Sequence, residues 1–208
     1  LGTGEIWVRV PATVKIVVNG KLPSNVMSKD VILKIIGDLS AAGATYKALE
    51  FCGDTFENMS VASRMTMTNM AIEAGAKCGV FTPDEKTAEY CGIALDDFQK
   101  NLKVDEDAVY ELVMEYCAED FVPVMAVPSN VDNVKPIAEL GEVPVDQVFL
   151  GSCTNGRLED LEAAAEVVKG KHVAPFVRFI VTPASRKIYL QALENGTVDT
   201  LIRAGAVV

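Results

Sequence analysis

Hydrophobic and polar positions change period several times along the chain, and each change marks an element. Residues 6–23, IWVRVPATVKIVVNGKLP, alternate and are rich in β-branched side chains, which predicts extended structure interrupted at Pro11 and turning at Asn19-Gly20. Between 28 and 41 apolar residues fall at 31, 32, 35, 36 and 39, the stripe of an amphipathic helix, with Ser28 as its expected cap. YKALEFCG (46–53) reads as a buried strand. Residues 60–81 predict a helix capped by Ser60 and stopped by Gly75, then a strand near 78–82. TPDEKTAEYCG (82–92) and DEDAVYELVMEYCAED (105–120) read as two more helical segments.

The pattern is more regular after residue 145. A strand at about 146–150 meets the turn GSCTNG (151–156). A helix over about 157–168 follows, with Leu158, Leu161, Ala165 and Val168 on one stripe. Next come a strand at 177–182, a helix to Glu194, a short helix to about Arg203, and a strand from Ala206. Strands alternating with helices predict an α/β fold with a mostly parallel sheet. The stretch 127–144 holds three prolines, a glycine and three acidic residues, and is expected to link a domain at 1–126 to a partial one at 145–208.

Composition narrows the function. Half the residues are hydrophobic, which predicts packed cores. The apolar runs are too short to cross a bilayer, and no signal-peptide pattern opens the chain. A net charge of −10 speaks against a phosphate backbone, so neither nucleic acid nor membrane is an expected partner. Five cysteines without a Cys-X-X-Cys pair, and no secretory signal, predict reduced thiols and a cytoplasmic protein. With His172 the single histidine, a self-contained zinc site is not expected. The chain starts at Leu1 and stops on GAVV, as expected of a piece of a longer protein.

The chemistry concentrates at GSCTNG. Ligands of open parallel sheets bind outside the carboxyl ends of the strands, where this turn is expected. Cys153 would stand just before a helix, whose dipole favours thiolate, and Asn155 is placed to cap that helix. Four readings follow from the residues. A phosphate loop lacks its Lys-Ser/Thr, since Arg157 and Leu158 stand there. A nucleophile lacks a base, since His172 falls in the loop after the helix, at the opposite edge of the sheet. The other two are a small turn residue and a cluster ligand whose partners lie elsewhere.

VFLGSCTNGRLEDLEAAAEVVKG (148–170) resembles a motif of the aconitase superfamily, nearest to the large subunits of isopropylmalate dehydratase and homoaconitase. GKLPSNVMSKDVILKIIGDLSAAGATYKALEFCGDTFENMS, RMTMTNMAIEAGAKCGVFTPDEKT and VRFIVTPASRKIYLQALENG resemble the same family, so the likeness runs over nearly the whole chain. It implies aconitase-like α/β/α layers in two partial domains, and a hydro-lyase that dehydrates and rehydrates a small hydroxy di- or tricarboxylic acid, in leucine biosynthesis for the nearest branch. Cys153 would be one thiolate ligand of a [4Fe-4S] cluster, with Ser152, Thr154 and Asn155 around it. The other two cysteine ligands are expected beyond Val208, so this segment alone is expected to be inactive. Asn69 and Glu73, four apart on one helix, would act catalytically, Glu73 at the water that leaves. Arg157 and Arg186 are weaker candidates for substrate carboxylates. The general base would sit on a swivelling domain carried by a small subunit. Homoaconitase, a cluster-free RNA-binding relative and a non-catalytic scaffold stay open as alternatives.

Overall fold

The computed structural model describes residues 2–99, 102 and 104–208, and of Phe98 and Gln99 the backbone only. The chain divides into two compact units, residues 1–137 and 138–208. Among the described residues no helix is long and apolar enough to cross a membrane.

The first unit is built on four parallel strands, β1 (Thr13–Asn19), β2 (Ala48–Cys52), β3 (Cys78–Phe81) and β4 (Leu112–Cys117), in the order β3-β2-β1-β4. Alternation in β1 buries Val14, Ile16 and Val18 completely, while Thr13, Lys15 and Val17 lie half-buried on the other face. Two helices complete this core. From α1 (Ser28–Leu39) come Val31, Ile32, Ile35 and Ile36, and from α3 (Val61–Met70) come Met67 and Met70. Phe56, on the short α2 (Asp54–Asn58), meets Phe51 and Phe81 edge-on, with ring centroids 5.7 and 5.6 Å apart.

Three expectations are corrected here. Ser28 is the first helical residue and buried; the cap is made at Met27, whose amide donates to Asp30 Oδ2 over 2.8 Å. The segment 105–120 holds no α-helix, only a 3₁₀ turn at Ala118–Asp120. Its residues 112–117 form β4, paired with β1 from Val14↔Leu112 to Asn19↔Cys117. Glu, Leu and Met favour helix locally, but Met114 and Tyr116 face the core at period two, and pairing with a central strand overrides propensity. The stretch 127–144 is not a linker throughout. Strands β5 (Val124–Ala126) and β6 (Val134–Pro136) form an antiparallel ribbon on α1. Asp30 Oδ1 accepts from the Val124 amide and Asp132 Oδ2 from the Ala41 amide, at 2.9 and 2.8 Å. The unit boundary therefore falls at 137/138.

Beyond β3 the chain continues into α4 (Glu85–Cys91) and α5 (Leu95–Gln99). Arg64, 5 % exposed, is satisfied there by Asp84, Thr87 and the carbonyls of Phe56 and Glu57. Desolvation pushes the Asp84 carboxyl up, but hydrogen bonds from Arg64 and Thr87, with the guanidinium charge, win and bring it down to about 2. A folded-state pKa below the unfolded one gives stability above the unfolded value, near 3.8, that is lost as pH falls through about 2. Circular-dichroism melts should show Tm falling between pH 4 and 2, and Asp84→Asn should flatten that slope. An unchanged slope would remove Asp84 from the acid limb.

The second unit is a smaller parallel sheet, β7 (Gln147–Gly151), β8 (Arg178–Thr182) and β9 (Ala206–Val207) in that order. Its helices are α6 (Ser152–Asn155), α7 (Leu158–Val168), α8 (Arg186–Glu194) and α9 (Thr197–Arg203). Leu161 and Ala165 of α7 pack with Phe179, Val181, Ala192, Val198 and Leu201, so the stripe read from the sequence is the buried one. The ribbon β5–β6 is the one antiparallel pair among the described residues, and the fold is α/β with mostly parallel sheets.

Candidate functional site

The GSCTNG turn stands at the carboxyl end of β7, against the carboxyl end of β8. Gly151 has φ 128° and ψ −135°, a region essentially reserved for glycine, and a β-carbon there would overlap the Thr182 carbonyl. A β-carbon on Gly156 would lie 2.6 Å from Ser152 O and 2.8 Å from the Ala184 nitrogen. The Ala184 amide donates to Gly156 O over 2.8 Å, closing the turn on the chain after β8. Between the two glycines Ser152 takes φ 66°, and Ser152–Asn155 make one helical turn with Cys153 exposed on it.

Asp160 holds this turn from behind. It is 7 % exposed on the first turn of α7. Its Oδ1 accepts from Asn155 Nδ2 and its Oδ2 from the Arg157 amide, both at 3.0 Å. Burial pushes the Asp160 carboxyl up, opposed by those two hydrogen bonds. Asn155 thus does not cap α7 as expected from its position. Arg157 is the cap residue, Asp160 supplies the capping oxygen, and Asn155 is tied to Asp160 instead. Asn155 Oδ1 and Arg157 Nε are buried without a hydrogen-bond partner among the described residues. An orphaned acceptor and donor beside an exposed thiol mark a place where a ligand or ordered water completes the bonding. Asp160 was missed by a reading centred on the cysteine, although Arg157-X-X-Asp160 ahead of an apolar stripe is the spacing of a capping box.

The structure brings Ser152, Cys153, Thr154 and Asn155 together on this turn, while Asn69 and Glu73 belong to the first unit. That pair is four apart, but only Asn69 lies on α3. The helix tightens after Met70 into a 3₁₀ turn, Ala71–Ala74, which carries Glu73 and ends at left-handed Gly75. Both side chains are exposed. Because α3 returns from the carboxyl end of β2 to the amino end of β3, the pair lies at the amino end of its sheet, opposite the ligand edge typical of such folds. The Ala44 amide donates to Ala74 O over 2.9 Å, which fixes this corner.

His172 approaches Gly205, ahead of β9, and so lies at the amino end of the second sheet, away from Cys153. Arg186 is exposed on the first turn of α8. Burial and a hydrogen bond to Glu50 push the Cys52 thiol up to about 11, and a hydrogen bond to Glu119 raises Cys117. Both are therefore poor thiolate donors. No cysteine is in a disulfide, and among the described residues no group of three or more His, Cys, Asp or Glu side chains could hold a metal ion. One exposed thiol on a rigid turn fits one corner of a multi-ligand site.

Two comparisons with known proteins agree. The profile of the Aconitase family (aconitate hydratase) matches residues 1–144 and 133–208. The chain is 48 % identical, over its whole length, to the 3-isopropylmalate dehydratase large subunit 2 of Archaeoglobus fulgidus. It is 50 % identical over 99 % of its length to the probable 3-isopropylmalate dehydratase large subunit of Methanothermobacter thermautotrophicus, and 48 % identical throughout to large subunit 1 of Thermotoga maritima. It covers 50 %, 49 % and 50 % of those three proteins, so it spans about half the length of the curated relatives it matches. With a profile match that covers both units and the cysteine turn, the chain belongs to the aconitase family.

Proposed function

We propose that this chain is the portion of a 3-isopropylmalate dehydratase large subunit that carries one cluster ligand and one catalytic pair. The whole protein would be a cytoplasmic hydro-lyase working with a small subunit, and would interconvert 2- and 3-isopropylmalate by removing and re-adding water. The observation that carries this reading is the near-50 % identity, over the full chain, to proteins bearing that name. No observation favours a tricarboxylate substrate.

Cys153 would be one of the thiolates holding a [4Fe-4S] cluster, and Ser152, Thr154 and Asn155 would line its edge. When bound, the cluster supplies a Lewis acid for the substrate hydroxyl. Glu73 would pass a proton to the departing hydroxyl so that it leaves as water, and take the proton back on rehydration, with Asn69 orienting that water by hydrogen bonding. The exposure of both side chains supports this, because a proton donor at the core could not reach a small acid. The orphaned Asn155 Oδ1 would accept from a substrate hydroxyl or an ordered water.

The test uses the complete large subunit with its small subunit, assayed for 2- and 3-isopropylmalate interconversion. Glu73→Gln keeps the shape and removes the proton, and is expected to lower kcat by about 10²–10⁴ while iron and sulfide content stays unchanged. Full turnover in that variant would remove Glu73 from the mechanism. No turnover of either acid by the unmodified complex would overturn the substrate reading.

A further inference from the structure

We propose that Asp160 is the positioning residue of the cysteine turn: through Asn155 and the Arg157 amide it fixes the helical turn on which Cys153 stands. This deepens the reading above and rests on it only for the purpose of the turn.

The geometry is specific. A carboxylate offers acceptors on both oxygens, and here each meets a different donor, Asn155 Nδ2 on one side of Gly156 and the Arg157 amide on the other. Gly156 is where a helical turn stops and α7 begins, with φ −108° and ψ 18°. Asp160 therefore straddles the joint between the two helices. The Asn155 side chain ends the cysteine turn, the Arg157 amide opens α7, and one buried carboxylate ties both. Burial makes the arrangement selective, because a partner lost from Asp160 is not readily replaced by water.

The tie also sets the Asn155 amide plane. With Nδ2 committed to Asp160, Oδ1 is the end left without a donor, which gives the site its open acceptor. A side chain at 160 with a single acceptor cannot satisfy both donors. In Asp160→Asn one tie must break, or the Asn155 amide must turn over and reverse the polarity it offers.

The exchange Asn155→Asp with Asp160→Asn provides a rescue. Asn at 160 then donates from its amide to the carboxylate at 155 and accepts from the Arg157 amide with its oxygen, so both ties return with the polarity of one reversed.

The test is made on this 208-residue chain. Alkylation by iodoacetamide at one pH is followed site by site by peptide mass spectrometry, with hydrogen exchange at β8 and α9 measured alongside. Asp160→Ala, which leaves neither donor an acceptor, is expected to raise the Cys153 rate by about threefold or more, as local opening of one turn should, with exchange at β8 and α9 unchanged. The double exchange is expected to return the Cys153 rate to that of the unmodified chain. An unchanged Cys153 rate in Asp160→Ala, where no turned amide can save the ties, overturns the proposal. So does faster exchange throughout β8 and α9, since Asp160 would then hold the unit in general. A raised rate that the double exchange leaves raised overturns the route through Asn155. None of these outcomes depends on bound iron, so failure here is distinct from failure of the cluster reading, which the Cys153 substitution tests.

Discussion

Cys153→Ser, made in the complete large subunit, is expected to remove the visible charge-transfer absorption of a bound cluster and all measurable turnover. Iron–sulfur clusters are held by thiolates, and a serine hydroxyl is neither as acidic nor as soft a donor. The turn itself should survive, because serine is nearly isosteric and Cys153 is exposed. The loss should therefore appear in iron and sulfide content, with the folded circular-dichroism spectrum retained. The present chain offers a companion result. With no group of three ligands among its described residues, it should not take up a stoichiometric cluster on anaerobic reconstitution. A Cys153→Ser subunit with full iron and sulfide would end the ligand assignment. A stoichiometric cluster on this chain alone would mean that the ligand set had been misread.

Gly151→Ala is expected to be among the most destabilising single substitutions in the second unit. Its φ and ψ cost a residue with a β-carbon about 1–3 kcal/mol. Overlap with the Thr182 carbonyl adds about 1–3 kcal/mol, as for other overpacked sites. A domain the size of the second unit shifts its Tm by roughly 4–8 °C per kcal/mol, so a fall of at least about 8 °C is expected in its calorimetric transition. Gly170→Ala is the control. Gly170 also has a positive φ, 70°, but no atom lies within 4 Å of its added β-carbon. It should cost only the backbone part, about 1–2 kcal/mol. Equal shifts for the two substitutions would show that packing against Thr182 contributes nothing.

The sequence is most informative where one face of an element meets one core. The alternation of Val14, Ile16 and Val18 and the stripe of Leu158, Leu161, Ala165 and Val168 both survive in the structure, because each buries one side only. It is least informative where the partner is remote. Residues 112–117 look helical until Val14 and its neighbours pair with them. Asp132 looks like a linker residue until it caps the Ala41 amide at the end of α1. The candidate site divides in the same way. GSCTNG announces its glycines and its cysteine, and Asn69 and Glu73 announce their spacing. The 3₁₀ turn under Glu73 depends on how Ala71 and Ala74 pack, and the tie from Asp160 depends on its burial, which a linear reading does not contain.

Ser152 sets a trade-off within the cysteine turn. An L-residue in the left-handed region gives up about 1 kcal/mol or more that glycine would keep. Glycine at 152 would recover that energy and remove the hydroxyl beside Cys153. Backbone stability and a polar group next to the thiol therefore pull in opposite directions at this one position.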